Sequence, residues 1–192
     1  MSNLVIVFHS GYGHTVRQAQ SVARGAGEVE GTSVRLLAIS QEGLLGEEEW
    51  AALDAADAVV FGTPTYMGGP SWQFKRFADA SSKAWMKQKW KDKIAAGFTN
   101  SATINGDKLA TLQYLHTLAM QQGMLWVGTG MLPANSKSAQ RNDVNWLGSS
   151  SGLMAQSPSD ASPEEGPLPG DLETARLFGG RVARIAARWN GR

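Results

Sequence analysis

The chain has 192 residues, 18 Lys+Arg against 17 Asp+Glu and a formal net charge of +1, which argues against a polybasic nucleic-acid or membrane binder. The length suits a single domain over residues 1–192. Cysteine is absent, which excludes disulfides, thiolate zinc sites, iron–sulfur clusters and cysteine nucleophiles, and a reducing cytoplasmic location is expected.

The first apolar run, Leu4–Phe8, is too short for a signal-peptide core and reads as a strand buried on both faces. It ends at His9, and Ser10-Gly11-Tyr12-Gly13-His14-Thr15 leads into a helical pattern with Val16, Ala19, Ala23 and Ala26 on one face. Ser33–Ile39 is mixed in character, contains Arg35 and reads as an edge strand. A helix is expected over Glu47–Leu53, a buried strand over Ala58–Phe61 and a helix over Gln73–Ser82. Ile94–Phe98 is a further buried strand, followed by Leu109, Leu112, His116 and Ala119 on one helical face, and Leu125–Val127 completes the strands. Residues 130–170 are rich in Ser, Asn, Gly and Pro, with Pro158, Pro163, Pro167 and Pro169 in one stretch, and are expected to form a long functional loop. Leu172, Ala175, Gly179, Val182 and Ala186 mark the last helix. No stretch approaches the roughly 20 apolar residues that span a bilayer. The alternation predicts an open parallel sheet with helices on both faces, because parallel strands need crossover helices.

Chemistry concentrates in three loops at strand ends. The 10–15 turn has two glycines, hydroxyls and a following helix N-terminus, a shape that suits a monophosphate, although Ser10 or Gly13 capping the helix explains the turn equally well. It has neither the Gly-Lys-Ser/Thr ending of a nucleoside-triphosphate loop nor GxGxxG. The second loop, Gly62 to Pro70, offers Tyr66 and Met67 to a flat ring, and the third, Thr99 to Asp107, offers amides and hydroxyls to a heteroatom edge. Open α/β sheets bind ligands outside the carboxyl ends of their strands, where these three loops converge.

SGYGHT, GTPTYMGG, KRFADASSKAW, QQGMLWVGTG and ARLFGGRVARIAARWNG together resemble the flavodoxin-like NAD(P)H:quinone oxidoreductases of the tryptophan-repressor-binding-protein (WrbA) type, over nearly the whole chain. The resemblance implies a flavodoxin-like, doubly wound, five-stranded parallel sheet of order 2-1-3-4-5. It implies FMN as cofactor, NADH or NADPH as electron donor, a quinone-like acceptor reduced by two electrons in alternating half-reactions, and a homodimer or homotetramer. It places the phosphate at Ser10, Gly11, Tyr12, Gly13, His14 and Thr15, the ring over Pro64, Thr65, Tyr66, Met67 and Gly68, and a third contact at Ser101, Thr103, Asn105 and Gly106. It also places Trp85 at the flavin pocket, where a neighbouring subunit can contribute. The flavin carries the chemistry, so no catalytic side chain is implied. The chain departs from the family pattern in the third loop, Thr103 to Lys108, in Gln121-Gln122 where a His pair is common, and in Trp146 to Gly152.

The other candidates are weaker. His9, His14 and His116 are the whole imidazole complement and lack metal-ligand spacing. Lys83, Lys87, Lys89, Lys91 and Lys93, interleaved with Trp85 and Trp90, read as a solvated face, with steering of a nucleotide phosphate as the narrower alternative. Trp50 and Trp189 read as core residues, and Trp72, Trp85 and Trp146 as flanking the site. A one-electron flavodoxin carrier and a non-catalytic FMN-binding regulator remain as alternatives to the reductase.

Overall fold

A computed structural model describes residues 1–191. Its parallel strands are β1 (Ser2–Phe8), β2 (Thr32–Ala38), β3 (Ala58–Tyr66), β5 (Ile94–Ser101), β6 (Leu125–Trp126) and β7 (Leu153–Gln156), with a two-residue antiparallel strand β4 (Gly69–Pro70). The helices are α1 (His14–Gly27), α2 (Glu47–Ala55), α3 (Trp72–Ala80), α4 (Ser82–Met86), α5 (Lys108–Gln121) and α6 (Pro169–Trp189). The sheet runs β2-β1-β3-β5-β6, with β4 on β3 and β7 on β5. The five expected strands therefore take the expected order, and the two short strands are additional.

Alternation along the central strands builds two cores, since successive side chains leave opposite faces of a sheet. Leu4, Ile6, Phe8, Ala58, Val60, Ala96 and Phe98 pack under α1 and α6, whereas Val5, Val7, Val59, Phe61 and Ala95 pack under α2, α3 and α5. β2 is the edge expected from its mixed composition, with mostly partly or fully exposed residues. α1 and α6 meet through glycines: a Cβ at Gly25 would lie 1.7 Å from the Arg176 carbonyl oxygen, and one at Gly179 would lie 2.0 Å from that of Val22.

The fifth strand differs from expectation. It is split, with β6 pairing beside Ile94 and Ala95 and β7 resuming beside Phe98 to Ser101. Residues 127–152 are thus an insertion within that strand, and the long loop is interrupted by β7 rather than running unbroken to the last helix. Trp126 Nε1 donates to the Ser151 carbonyl at 2.7 Å and Thr129 Oγ1 to that of Ser149 at 2.7 Å, stitching the base of the insertion.

In the lysine-rich stretch Lys83, Lys87 and Lys91 are exposed, whereas Lys89 and Lys93 are tied to α2. Lys93 Nζ donates to the carbonyls of Leu53 and Asp54 at 2.9 and 2.6 Å, Lys89 pairs with the Asp54 carboxylate, and Trp90 Nε1 donates to it at 3.0 Å, so these residues fasten the C-terminal end of α2. Burial lowers the Lys93 pKa to about 8, against the pull of Asp54 and Asp57. Trp50 stacks on Phe77 and Trp90 as core, but Trp189 is over half exposed, its ring nitrogen held by the Asp92 carbonyl at 2.9 Å.

Candidate functional site

A cleft of about 370 Å³ opens at the carboxyl ends of β1, β3 and β5, lined by Tyr12, His14, Thr15, Pro64, Thr65, Tyr66, Asn100, Ser101, Ala102, Ser157 and Ser159. It is of the size that small-molecule sites occupy. No acidic side chain is among these lining residues, which suits an anion.

The first wall is the turn into α1. Gly13 takes φ 90°, a left-handed conformation that glycine adopts without strain. Ser10 Oγ accepts the Gly13 N–H at 3.1 Å and the Gly13 carbonyl accepts those of Val16 and Arg17. Among the described residues, the N–H groups of Gly11, Tyr12, His14 and Thr15 meet no acceptor within the chain. α3 makes the contrast: its N-cap Ser71 Oγ accepts the Phe74 N–H, whereas α1 has no side-chain cap. A helix start stripped of its cap at the mouth of a cleft leaves donors and a positive dipole end for a ligand anion. The Thr15 hydroxyl, which lines the cleft and has no hydrogen-bond partner among the described residues, adds a further donor there.

The second wall is the β3–β4 hairpin. Thr65 Oγ1 lies 2.8 Å from both Thr99 Oγ1 and Thr111 Oγ1, tying β3 to β5 and α5 beneath the cleft. Thr65 pairs with Pro70 and Tyr66 with Gly69, so Met67 and Gly68 are the two turn residues, both at positive φ (47° and 81°). That twist matches a two-residue hairpin. Met67 is fully exposed and, with Gly68, sits at the tip rather than lining the cleft. Tyr66 crosses to the first loop: a Cβ on Gly11 would lie 2.5 Å from its hydroxyl, and its ring meets Tyr12 edge-on at 6.2 Å. Desolvation, and secondarily Tyr12, raises the Tyr66 pKa.

The third wall joins the end of β5 to the loop after β7. Ser101 and Ala102 line the cleft, while Thr103, Asn105 and Gly106 continue past its edge. Gly106 packs where a Cβ would meet Ser101 Oγ at 2.2 Å. Ser157 N–H donates to the Ser101 carbonyl at 3.1 Å and Ser157 Oγ to Asn100 Oδ1 at 3.2 Å. The proline-rich segment then reaches the first loop, with His14 Nε2 2.9 Å from the Ala161 carbonyl oxygen and Arg17 donating to that of Pro163 at 2.8 Å. Pro163 lies over Gly13, where a Cβ would sit 2.7 Å from its Cγ.

The three expected loops therefore converge. Asn100, Ala102, Ser157 and Ser159 join them without having been singled out, although Asn100 and Ala102 lie in the loop read as polar and the serines in the segment read as functional. Trp85 does not line the cleft of its own chain: it sits on α4, 41% exposed, beside a separate cavity with Tyr114, Leu118, Gln121 and Gln122. Trp72 and Trp146 are also outside the lining. His9 is buried, bonded to Ser71 Oγ through Nδ1 at 2.9 Å, with burial lowering its pKa. His116 packs edge-on against Trp126. No group of three His, Asp or Glu side chains able to hold a metal occurs among the described residues, and none of the described helices is long and apolar enough to cross a membrane.

Comparison with known proteins adds the lineage. Residues 46–138 match the family model described as NADPH-dependent FMN reductase. The chain is 50% identical over 185 residues to Flavodoxin FldP of Pseudomonas aeruginosa, covering 96% of this chain and 97% of that one. It is 34% identical over 207 residues to an NAD(P)H dehydrogenase (quinone) of Geobacter sulfurreducens, covering 98% and 100%. The crystal structure of a flavodoxin, WrbA-like protein from Agrobacterium tumefaciens superposes with a TM-score of 0.79 at 54% identity, covering 98% and 99%. Fold, cleft and full-length similarity agree, and the chain belongs to the WrbA-type family of flavodoxin-like NAD(P)H:quinone oxidoreductases.

Proposed function

We propose that this chain is an FMN-dependent NAD(P)H:quinone oxidoreductase that reduces a quinone-like acceptor by two electrons in alternating half-reactions. The observation that carries this reading is the uncapped start of α1, which leaves four amides at a cleft without acidic lining. These residues fit a flavin mononucleotide. Gly11 to Thr15 would hold the phosphate, Pro64, Thr65 and Tyr66 would flank the ring with the hairpin tip Met67-Gly68 beside it, and Ser101 and the loop through Thr103, Asn105 and Gly106 would offer donors to it. When bound, the flavin supplies the redox chemistry, taking hydride from NADH or NADPH and delivering the electrons to the acceptor. The chain's own tasks are anchoring and orientation. His14 and Arg17 hold the 161–163 backbone over the phosphate turn, and the Thr65–Thr99–Thr111 hydroxyls fix the floor.

The exposed Trp72, Trp85 and Met86 support assembly as a homodimer or homotetramer, in which Trp85 would serve a neighbouring copy's cleft. Light scattering on the purified protein checks this, a monomeric mass being the result against it. A cytoplasmic location fits the absence of cysteine.

The experiment for the main reading is anaerobic visible absorption of the FMN-loaded protein. Addition of NADH or NADPH is expected to bleach it directly to the two-electron form, with benzoquinone restoring the colour. The 50% identity to a protein named as a flavodoxin favours a carrier as the second reading. It would take over if flavin binds, neither nucleotide bleaches it, and dithionite yields a stable one-electron form.

A further inference from the structure

Lys108, the first residue of α5, is 0% exposed. A cation is out of place there twice over, since burial penalises its charge and the start of a helix repels it. Its ammonium donates to Ser101 Oγ at 2.8 Å, to the Thr103 carbonyl at 2.7 Å and to the Ile104 carbonyl at 2.9 Å. The neighbouring Ala102 carbonyl accepts from Gln156 Nε2 at 3.0 Å. Gln156 is itself fixed: its N–H donates to Asp171 Oδ2 at 2.9 Å, and its Oε1 accepts from Arg141, which grips both oxygens of Asp171 at 2.9 and 2.8 Å.

Three successive peptide groups thus have their carbonyls occupied by buried or braced side chains. The only cis bond among the described residues is Gly166–Pro167, so these peptides are trans. In a trans peptide the N–H points opposite to the C=O. The amides of Thr103, Ile104 and Asn105 therefore face away from Lys108 and Gln156, and none has an acceptor within the described chain. They lie on an exposed loop that continues directly from Ser101 and Ala102 in the cleft wall.

We infer that Lys108 is a positioning residue for the flavin ring: with Gln156 it turns the loop carbonyls inward and leaves three consecutive amides for the ring's acceptor atoms. The inference rests on the FMN reading above. Burial lowers the Lys108 pKa to about 8, with Asp171 opposing and Arg141 reinforcing that shift. A neutral amine has two hydrogens for three acceptors, so the loop slackens as the proton leaves.

The test compares flavin binding to the apoprotein, followed by quenching of flavin fluorescence, for FMN and for riboflavin, which lacks the phosphate. Lys108→Met is expected to weaken both about tenfold or more, leaving their affinity ratio unchanged, because the lost contacts serve the ring. The reduction potential of the bound flavin should also fall, since a buried positive charge favours the electron-rich reduced ring. Riboflavin affinity should decline through about pH 8 in the parent and stay flat in Lys108→Met. If Lys108→Met does not fold, Gln156→Ala carries the test, with about a threefold loss for both ligands. Unchanged riboflavin affinity in a folded variant, or a loss confined to FMN, overturns the inference while leaving the cofactor reading standing. Failure of the parent to bind either flavin overturns both.

Discussion

The first and third walls of the cleft expose backbone amides by opposite means. At residues 10–15 the donors come from local geometry: a glycine at positive φ, a helix start without a cap, and neighbours close by, with Pro163 over Gly13 and the Tyr66 hydroxyl over Gly11. At residues 101–107 they come from two side chains, Lys108 at the start of α5 and, from far along the sequence, Gln156 on β7, that restrain the carbonyls. A wall made by backbone geometry fails through steric bulk or misplaced charge, whereas one made by side-chain bonds fails through their removal and with pH.

The largest separation of the two should come from Thr15→Glu, which puts a carboxylate at the proposed phosphate position. FMN affinity is expected to fall by about a hundredfold or more while riboflavin affinity changes far less, reading the like-charge penalty directly. A titration in which both flavins bind as before would remove the first loop from the site. Next, Gly13→Ala should lower stability by about 1–3 kcal/mol, since the added Cβ meets both an unfavourable φ and Pro163. Urea denaturation measures this, and an unchanged midpoint would contradict the close packing. The same substitution should weaken FMN binding by opening the 161–163 segment.

The pH dependence of stability should report on the side-chain wall through the part of it that Lys108→Met removes. Lys93 and Lys108 have folded pKa values of about 8, below the ordinary value of 10.5, so between these the unfolded chain binds more protons and stability rises with pH. Tyr114, raised to about 12 by burial, works the other way above pH 10. Thermal melts should therefore show a shallow gain from pH 8 towards 10 and a decline beyond, with Lys108→Met blunting the gain and Thr15→Glu leaving it intact. The smallest effect is expected from Ser157→Ala, about 1 kcal/mol for the lost bond to Asn100. Hydrogen exchange at the end of β5 should register it even where the melting temperature barely moves.

The same division decides what could be read from sequence. Periodicity located the strands because Leu4–Phe8 and Ala58–Phe61 are buried on both faces, and the glycines of the first turn announced its shape. The split of the fifth strand was not legible, because Leu153–Gln156 is a short mixed segment whose strand character comes from pairing with β5. Ser157 and Ser159 enter the cleft only through tertiary placement of a proline-rich loop. Lys108 followed an unusual third loop, but nothing in its neighbours indicated burial, since that depends on carbonyls folded back over it. Trp85 sits on a short helix facing another cavity, and local pattern carries no record of which chain's cleft an exposed ring might serve.

The close packing of α1 on α6 at Gly25 and Gly179 also constrains the order of events during synthesis. The helix that completes one face of the sheet follows every strand in the sequence, and the segment overlying the 10–15 turn lies just before it. A nascent chain that has made β1 through β5 already owns the cleft's glycines but neither the roof at Pro163 nor the core cover at Phe178 and Val182. Truncation within α6 would therefore strip the cover from one of the two cores while leaving in the chain every residue that lines the cleft.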